Sequence, residues 1–402
     1  MSGGGFSKAR LERVHDVMAG YVSRSEVPGL VTVFARRGEV HVDAIGTLAV
    51  DGRTPVAADS IFRISSMTKP ITAVAALILV EECALRLDDP IDEWLPELAN
   101  RRVLRRIDGP LDETVPAERP ITLRDLLTFR LGFGLVFAEP GTYPIWDALA
   151  DVMLGQGPPS PATPPGPDEW IRRFGTLPLM HQPGERWMYN TGSDLLGVLI
   201  ARASGQPLET FLRERIFDPL GMRDTGFHVP ARDLGRFASG YAPNLETGAL
   251  EQTDAPDGEW SRPPAFPSGA GGLVSTVTDY CAFAQMLLGG GALGSERILA
   301  RPSVEAMTAD QLTPAQKAVS GLTPGFFDAN GWGFGVSVVT QRTTMTESVG
   351  SYGWGGGLGT AWFNDPREDL LPVALTQRAW TSPNPPQVLG DFATSVYQAI
   401  DD

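Results

Sequence analysis

The chain has 402 residues, with 33 Lys and Arg against 48 Asp and Glu, a formal net charge of −15. With 42% hydrophobic and 20% charged residues, the composition is globular, neither disordered nor collagen-like. The acidic balance argues against nucleic acid or an anionic membrane surface as the main partner, and the length predicts two lobes.

The first residues, MSGGGFSKARLERVHDVM, lack the apolar core and cleavage site of a secretory leader, so a cytoplasmic location is expected. Residues 7–26 carry helical spacing up to Pro28-Gly29. Leu30–Phe34 and Glu39–Ile45 predict strands joined by a turn at Arg37-Gly38. Residues 66–85 read as a buried helix, stopped at Leu87-Asp88-Asp89-Pro90. Its apolar run, Ile71–Val80, is too short to span a bilayer. A short helix over Ile91–Leu98 follows, then a helical stretch Ile121–Phe129 with Thr122 as its N-cap. The Pro/Gly-rich Gly155–Pro167 predicts a loop. Ser193–Ser204 and Leu208–Phe217 read as helices, residues 240–268 as irregular, and Thr278–Leu288 as a helix. Strand-like runs at Gly335–Thr340, Gly359–Phe363 and Leu370–Thr376 precede a final helix, Pro386–Ile400. Strands at both ends with helices between them predict a sheet domain of residues 1–85 and 200–402 and a mostly helical domain of 86–199.

Several chemistries find no motif. There is no G-x-S-x-G, H-E-x-x-H, C-x-x-C or phosphate-binding G-x-x-x-x-G-K-[ST]. The cluster Gly353–Gly359 fails the dinucleotide pattern at Leu358 and Thr360. The run Arg101–Arg106 reads as a solvated basic face. Cys83 and Cys281, the only cysteines, are expected to be reduced and packed as small hydrophobes. No metal or organic cofactor is called for.

Only three lysines occur, Lys8, Lys69 and Lys317, and one of them closes Ser66-Met67-Thr68-Lys69 at the start of an apolar helix. Residues three apart share a helix face, so the two polar ends can meet. A serine hydroxyl needs a base beside it, and a desolvated lysine can serve where an arginine cannot. The N-terminal N–H groups of the helix favour negative charge forming near Ser66. Pro70 disfavours α geometry at Lys69 and predicts a tight first turn. Downstream, Tyr189 in Trp187-Met188-Tyr189-Asn190-Thr191 can relay a proton if a cation lowers its pKa. Further on, the glycines of Tyr352-Gly353-Trp354-Gly355-Gly356-Gly357 let a strand backbone approach a ligand and donate an N–H.

In this order the three elements resemble the serine β-lactamase/penicillin-binding-protein superfamily, and within it the class C-like branch of family VIII carboxylesterases. Pro120–Thr128, Pro219–Met222 with Thr225, and Ser268–Thr276 with Asp279 also resemble that family's text. The resemblance implies an α+β fold, an antiparallel sheet flanked by helices plus a mostly helical lobe, with the active site at their interface. It implies Ser66 as the acylated nucleophile, Lys69 as its base and Tyr189 as the partner in proton transfer. Ser66 and Gly357 would supply the oxyanion-hole N–H groups, and Trp354, Gly355 and Gly356 would contact substrate. Two departures are instructive. Thr191 stands where the class C triplet carries Asn, and Trp354 stands where β-lactamases carry a cation that meets the β-lactam carboxylate. Both favour a neutral small-molecule ester. The pocket walls are expected to include Phe133–Tyr143, with Gly155–Pro167 as a lid. An acyltransferase, a β-lactamase or D-aminopeptidase, and a non-catalytic binding protein are the rival readings; oligomeric state is not legible.

Overall fold

The computed structural model describes residues 4–139, 141–154 and 157–402. Its sheet has seven strands: β1 (Gly29–Arg36), β2 (Glu39–Gly46), β3 (Asn330–Trp332), β4 (Ser337–Val339), β5 (Tyr352–Gly356), β6 (Thr360–Asn364) and β7 (Leu370–Thr376). The order is β3-β4-β5-β6-β7-β1-β2, every neighbour antiparallel. Thus the first strand pairs with the last, Leu30 opposite Thr376 and Arg36 opposite Leu370.

Strand β1 is buried along its whole length, and its side chains alternate between two cores. Leu30 and Phe34 join Leu370 and Ala374 of β7 under helices α1 (Lys8–Ser23) and, near the C-terminus, Gln387–Gln398. Val31, Val33 and Ala35 join Leu371, Val373 and Leu375 on the opposite face. That face is covered by the helix Val277–Leu288, and the same cluster takes in α2 (Thr68–Glu81), buried from Thr68 to Leu79. The same hydrophobic cluster continues into the helices of the middle segment: α3 (Leu123–Leu127), α4 (Pro144–Asp151), α5 (Pro167–Thr176) and α6 (Thr191–Ser204). Two longer helices further along the chain are labelled α7 (Val277–Leu288) and α8 (Gln387–Gln398).

Several expectations hold and several do not. Thr122 caps α3 in a reciprocal capping box with Asp125. The irregular start that Pro70 requires is a 3-10 turn, Ser65–Met67, running into α2. Ile91–Leu98 is not one helix but two single 3-10 turns, because Leu95, at φ of −124° and ψ of 66° before Pro96, interrupts it. Residues 240–268 contain a hairpin, Gly240–Pro243 with Leu250–Asp254, that the turn-rich composition concealed. Strand β3 is an addition to the expected strands. Cys281 is buried, but Cys83 is exposed. It lies two residues past α2 with φ of 59°, where the chain turns back to water. No helix among the described residues is long and apolar enough to cross a membrane.

Candidate active site

Ser66 sits in the 3-10 turn between strand Phe62–Arg63 and α2. Three elements pin this turn. The Ile64 N–H donates to Leu273 O at 3.0 Å, Thr360 Oγ1 on β6 donates to Ile64 O at 3.1 Å, and Tyr280 Oη on α7 donates to Met67 O at 3.0 Å. The buried Ser65 has φ of 46°, a left-handed conformation that a non-glycine residue holds only when its surroundings enforce it.

Lys69 is only 1% exposed. Its Nζ lies 3.0 Å from Ser66 Oγ and 2.6 Å from the carbonyl oxygen of Ala270. Burial lowers its pKa to about 7, against the opposing charge of Asp194. Asp194, on the first turn of α6, accepts hydrogen bonds from Ser268 Oγ at 2.6 Å and from the Ala270 N–H at 3.2 Å. The carboxylate therefore holds the loop whose carbonyl holds Lys69. Burial in turn raises the pKa of Asp194.

Tyr189 precedes α6. Asn190, with φ of 86° and ψ of −68°, makes a classic γ-turn closed by Thr191 N–H to Tyr189 O at 3.3 Å. The Tyr189 carbonyl also accepts from the Leu135 N–H at 2.8 Å. At the other end of the side chain, Tyr189 Oη is hydrogen-bonded to Ser66 and accepts from Trp354 Nε1–H at 2.6 Å. Lys69 Nζ stands 4.5 Å from the centre of its ring. The expectation that a cation lowers the tyrosine pKa is not met. Burial raises it, and only the hydrogen bonds to Ser66 and Trp354 oppose that rise. Around the ring, Phe129, Trp187, Trp332 and Trp354 form an aromatic box, with Trp332 edge-on to Trp354 at 4.8 Å.

Strand β5 runs directly against the Ser66 turn. A Cβ on Gly356 would lie 2.3 Å from both Ile64 O and Thr360 Oγ1, so only glycine fits there. A Cβ on Gly355 would meet the Trp380 ring at 2.8 Å, whereas one on Gly357 would meet nothing within 4 Å.

A cavity of about 1060 Å³ opens over these groups. Ser66, Tyr189, Trp354, Gly355 and Gly357 all border it, so the structure brings these expected residues together. Gly356 packs behind them, and Lys69 lies beneath Ser66. Of the expected walls, Leu135–Glu139 and much of residues 157–164 border the cavity. Phe133 instead points into the core, and Pro140, Gly155 and Gln156 lie outside the described residues. Among the described lining residues the charged ones are Glu139 and Asp194, both acidic. No group of three or more His, Cys, Asp or Glu among the described residues could hold a metal ion.

Sequence reasoning passed over Asp194 and Ala270. The available signal was an acidic residue set in the apolar run of α6, Ser193-Asp194-Leu195-Leu196-Gly197-Val198, five positions after Tyr189. A lone carboxylate in such a run must find partners, here Ser268 and the Ala270 N–H.

The profile of the Beta-lactamase family matches residues 14–387. The chain is 40% identical over 355 residues to Protein Rv1367c of Mycobacterium tuberculosis (strain ATCC 25618 / H37Rv), covering 87% of this chain and 85% of that one. It is 30% identical over 398 residues to Esterase EstB of Burkholderia gladioli, covering 92% and 91%. Among solved structures, EstCE1, a hydrolase with promiscuous acyltransferase activity, shares the fold with a TM-score of 0.79 over 98% of this chain and 99% of its own, at 23% identity.

Proposed function

The chain belongs to the beta-lactamase family, and we propose that within it the protein is a serine carboxylesterase, hydrolysing small or medium esters through an acyl-enzyme on Ser66. The observation that carries this reading is the Lys69 Nζ, with a pKa lowered to about 7, lying 3.0 Å from Ser66 Oγ at the wall of a cavity. Near neutral pH a large fraction of such a lysine is the free amine and can take a proton.

In the proposed sequence, Ser66 Oγ attacks the ester carbonyl carbon while its proton passes to Lys69 Nζ. The N–H groups of Ser66 and Gly357 receive the oxyanion; each such donor is worth roughly 2.7–4 kcal/mol. Tyr189 stays a phenol at neutral pH. Held by Trp354, it hands its proton to the departing alkoxide and regains one from Lys69. Water then attacks the acyl-enzyme by the same route, releasing the acid and restoring Ser66. Every proton is supplied by the substrate water and the three side chains.

The described lining residues offer no cation for a β-lactam carboxylate, which supports an ester over a β-lactam. Acyl transfer to an alcohol differs only in the acceptor. The cavity volume leaves room for one, and the fold neighbour EstCE1 has that promiscuous activity.

The test is turnover of p-nitrophenyl esters by the protein and by Ser66→Ala, beside nitrocefin and with an added alcohol. The reading expects ester hydrolysis lost in Ser66→Ala and little turnover of nitrocefin. Hydrolysis by Ser66→Ala near the wild-type rate overturns it.

A further inference from the structure

Asn190 follows Tyr189 and borders the same cavity. Its φ of 86° is the largest among the described non-glycine residues with positive φ, and its ψ of −68° takes it out of the left-handed helical region. A classic γ-turn of this kind is rare and strained. Its neighbours impose it. The Leu135 N–H donates to Tyr189 O at 2.8 Å, and the Ser193 N–H donates to Asn190 O at 3.0 Å. Glycine would hold such a conformation at lower cost.

Asparagine serves backbone structure in two common ways. It caps a helix, or its amide ties down a turn. Neither applies here. Asn190 occupies the N-cap position of α6, yet its side chain makes no capping hydrogen bond. Among the described residues the amide has no hydrogen-bond partner at all, and it is not shut away from water either. The remaining structural reason, tolerance of positive φ, applies still better to glycine. The residue is half-buried at the cavity wall. Among the described lining residues it carries the one side-chain amide, in a wall whose charged members, Glu139 and Asp194, are carboxylates that when ionised only accept hydrogen bonds.

We propose that Asn190 is a specificity-determining residue: its amide N–H donates to a second acceptor oxygen carried by the substrate near the scissile ester, and so raises turnover of oxo-esters relative to plain alkyl esters of the same shape. The proposal rests on the esterase reading. The second oxygen can sit on the acid or on the alcohol side, and both offer the amide the same acceptor.

The experiment measures kcat/KM for two isosteric pairs, methyl acetoacetate against methyl isovalerate and acetonyl butanoate against isobutyl butanoate. Each pair exchanges a carbonyl oxygen for a methyl group at one position. Comparing each oxo-to-alkyl ratio with that of wild type cancels the intrinsic reactivity of the oxo-ester. Asn190→Gly suits the backbone conformation and removes the amide. It should lower the ratio about 2–13-fold in at least one pair, the worth of one net hydrogen bond. The pair that responds identifies the side on which the oxygen sits. Asn190→Asp, an ionised carboxylate that cannot donate, should lower the same ratio, and it stands in if Asn190→Gly does not fold. Ratios within about twofold of wild type in both pairs, or equal losses on both members of each pair, leave the side chain a purely structural role. Either result overturns the proposal and leaves the esterase reading intact. Absence of turnover by wild type on all four esters overturns the esterase reading, and the role of Asn190 with it.

Discussion

The indole N–H of Trp354 donates to the phenolic oxygen of Tyr189 at 2.6 Å, joining two residues 165 positions apart. Tyr189 has one proton of its own. The phenolic oxygen is also hydrogen-bonded to Ser66, and like the indole bond this opposes the rise in pKa that burial causes. The resemblance sets Trp354 where β-lactamases carry a cation. Here it supplies a neutral donor and an apolar wall instead.

Replacing Trp354 by Phe keeps a ring and removes the donor. A net hydrogen bond is worth about 0.5–1.5 kcal/mol, so kcat on a p-nitrophenyl ester should fall roughly 2–13-fold. Because the bond serves the proton relay, the loss should appear in kcat more than in KM. Steady-state kinetics of Trp354→Phe checks this, and an effect confined to KM contradicts the role given to the indole.

The acid limb of the pH–rate profile should report Lys69. Its folded pKa lies at about 7, below the ordinary lysine value, and the active form is the free amine. Activity therefore rises as pH increases through about 7 and is lost below it. Lys69→Arg keeps the charge but cannot release the proton, and should cost about 10²–10⁴-fold in kcat. The nearby Asp194 favours the charged lysine, so Asp194→Asn should move the acid limb to lower pH. A limb that stays in place in this variant assigns the titration to another group.

Two adjacent glycines should separate cleanly in thermal unfolding. Alanine at Gly356 drives a Cβ against Ile64 O and Thr360 Oγ1 and pushes β5 off the nucleophile turn. The expected cost is about 1–3 kcal/mol with a fall in kcat/KM. Alanine at Gly357 meets no atom within 4 Å and should leave Tm close to wild type. Equal Tm for the two variants would mean that β5 is not held against the turn as described.

The two thiols should also separate. Cys83 is exposed, whereas Cys281 is buried and its pKa is pushed up to about 11 by desolvation. A thiol-reactive dye should label one site in the native protein and two in denaturant, and Cys83→Ser should abolish the native signal.

What the sequence made legible was local. Ser66 and Lys69 could be paired because three residues on a helix fix their relation, and Thr122 could be read as a cap because its partner Asp125 is three residues away. The sheet strands near both ends were readable from apolar runs, β1 and β7 most clearly. The Asp194–Ala270–Lys69 linkage was not readable, because it joins three segments of chain and depends on a backbone carbonyl, which has no sequence signature. The aromatic box escaped for the same reason, since Phe129, Trp187, Trp332 and Trp354 come from four distant segments. Tyr189 was found, but the direction of its pKa was misjudged. The lysine over its ring was visible as a nearby cation, whereas the burial that outweighs it belongs to the folded molecule.

The pairing of β1 with β7 also bears on when this protein can first work. The Ser66 turn leaves a ribosome early, but Trp354 and the Gly355–Gly357 backbone follow almost three hundred residues later, and β7 (Leu370–Thr376) later still. Until that strand arrives, β1 lacks one of its two neighbours and β6 has no strand to join it to β1. Contacts of such long sequence separation form slowly. A nascent chain thus carries Ser66 through most of synthesis without the strand that bears Trp354 and Gly355, and the proposed site is complete only when the last strand closes the sheet.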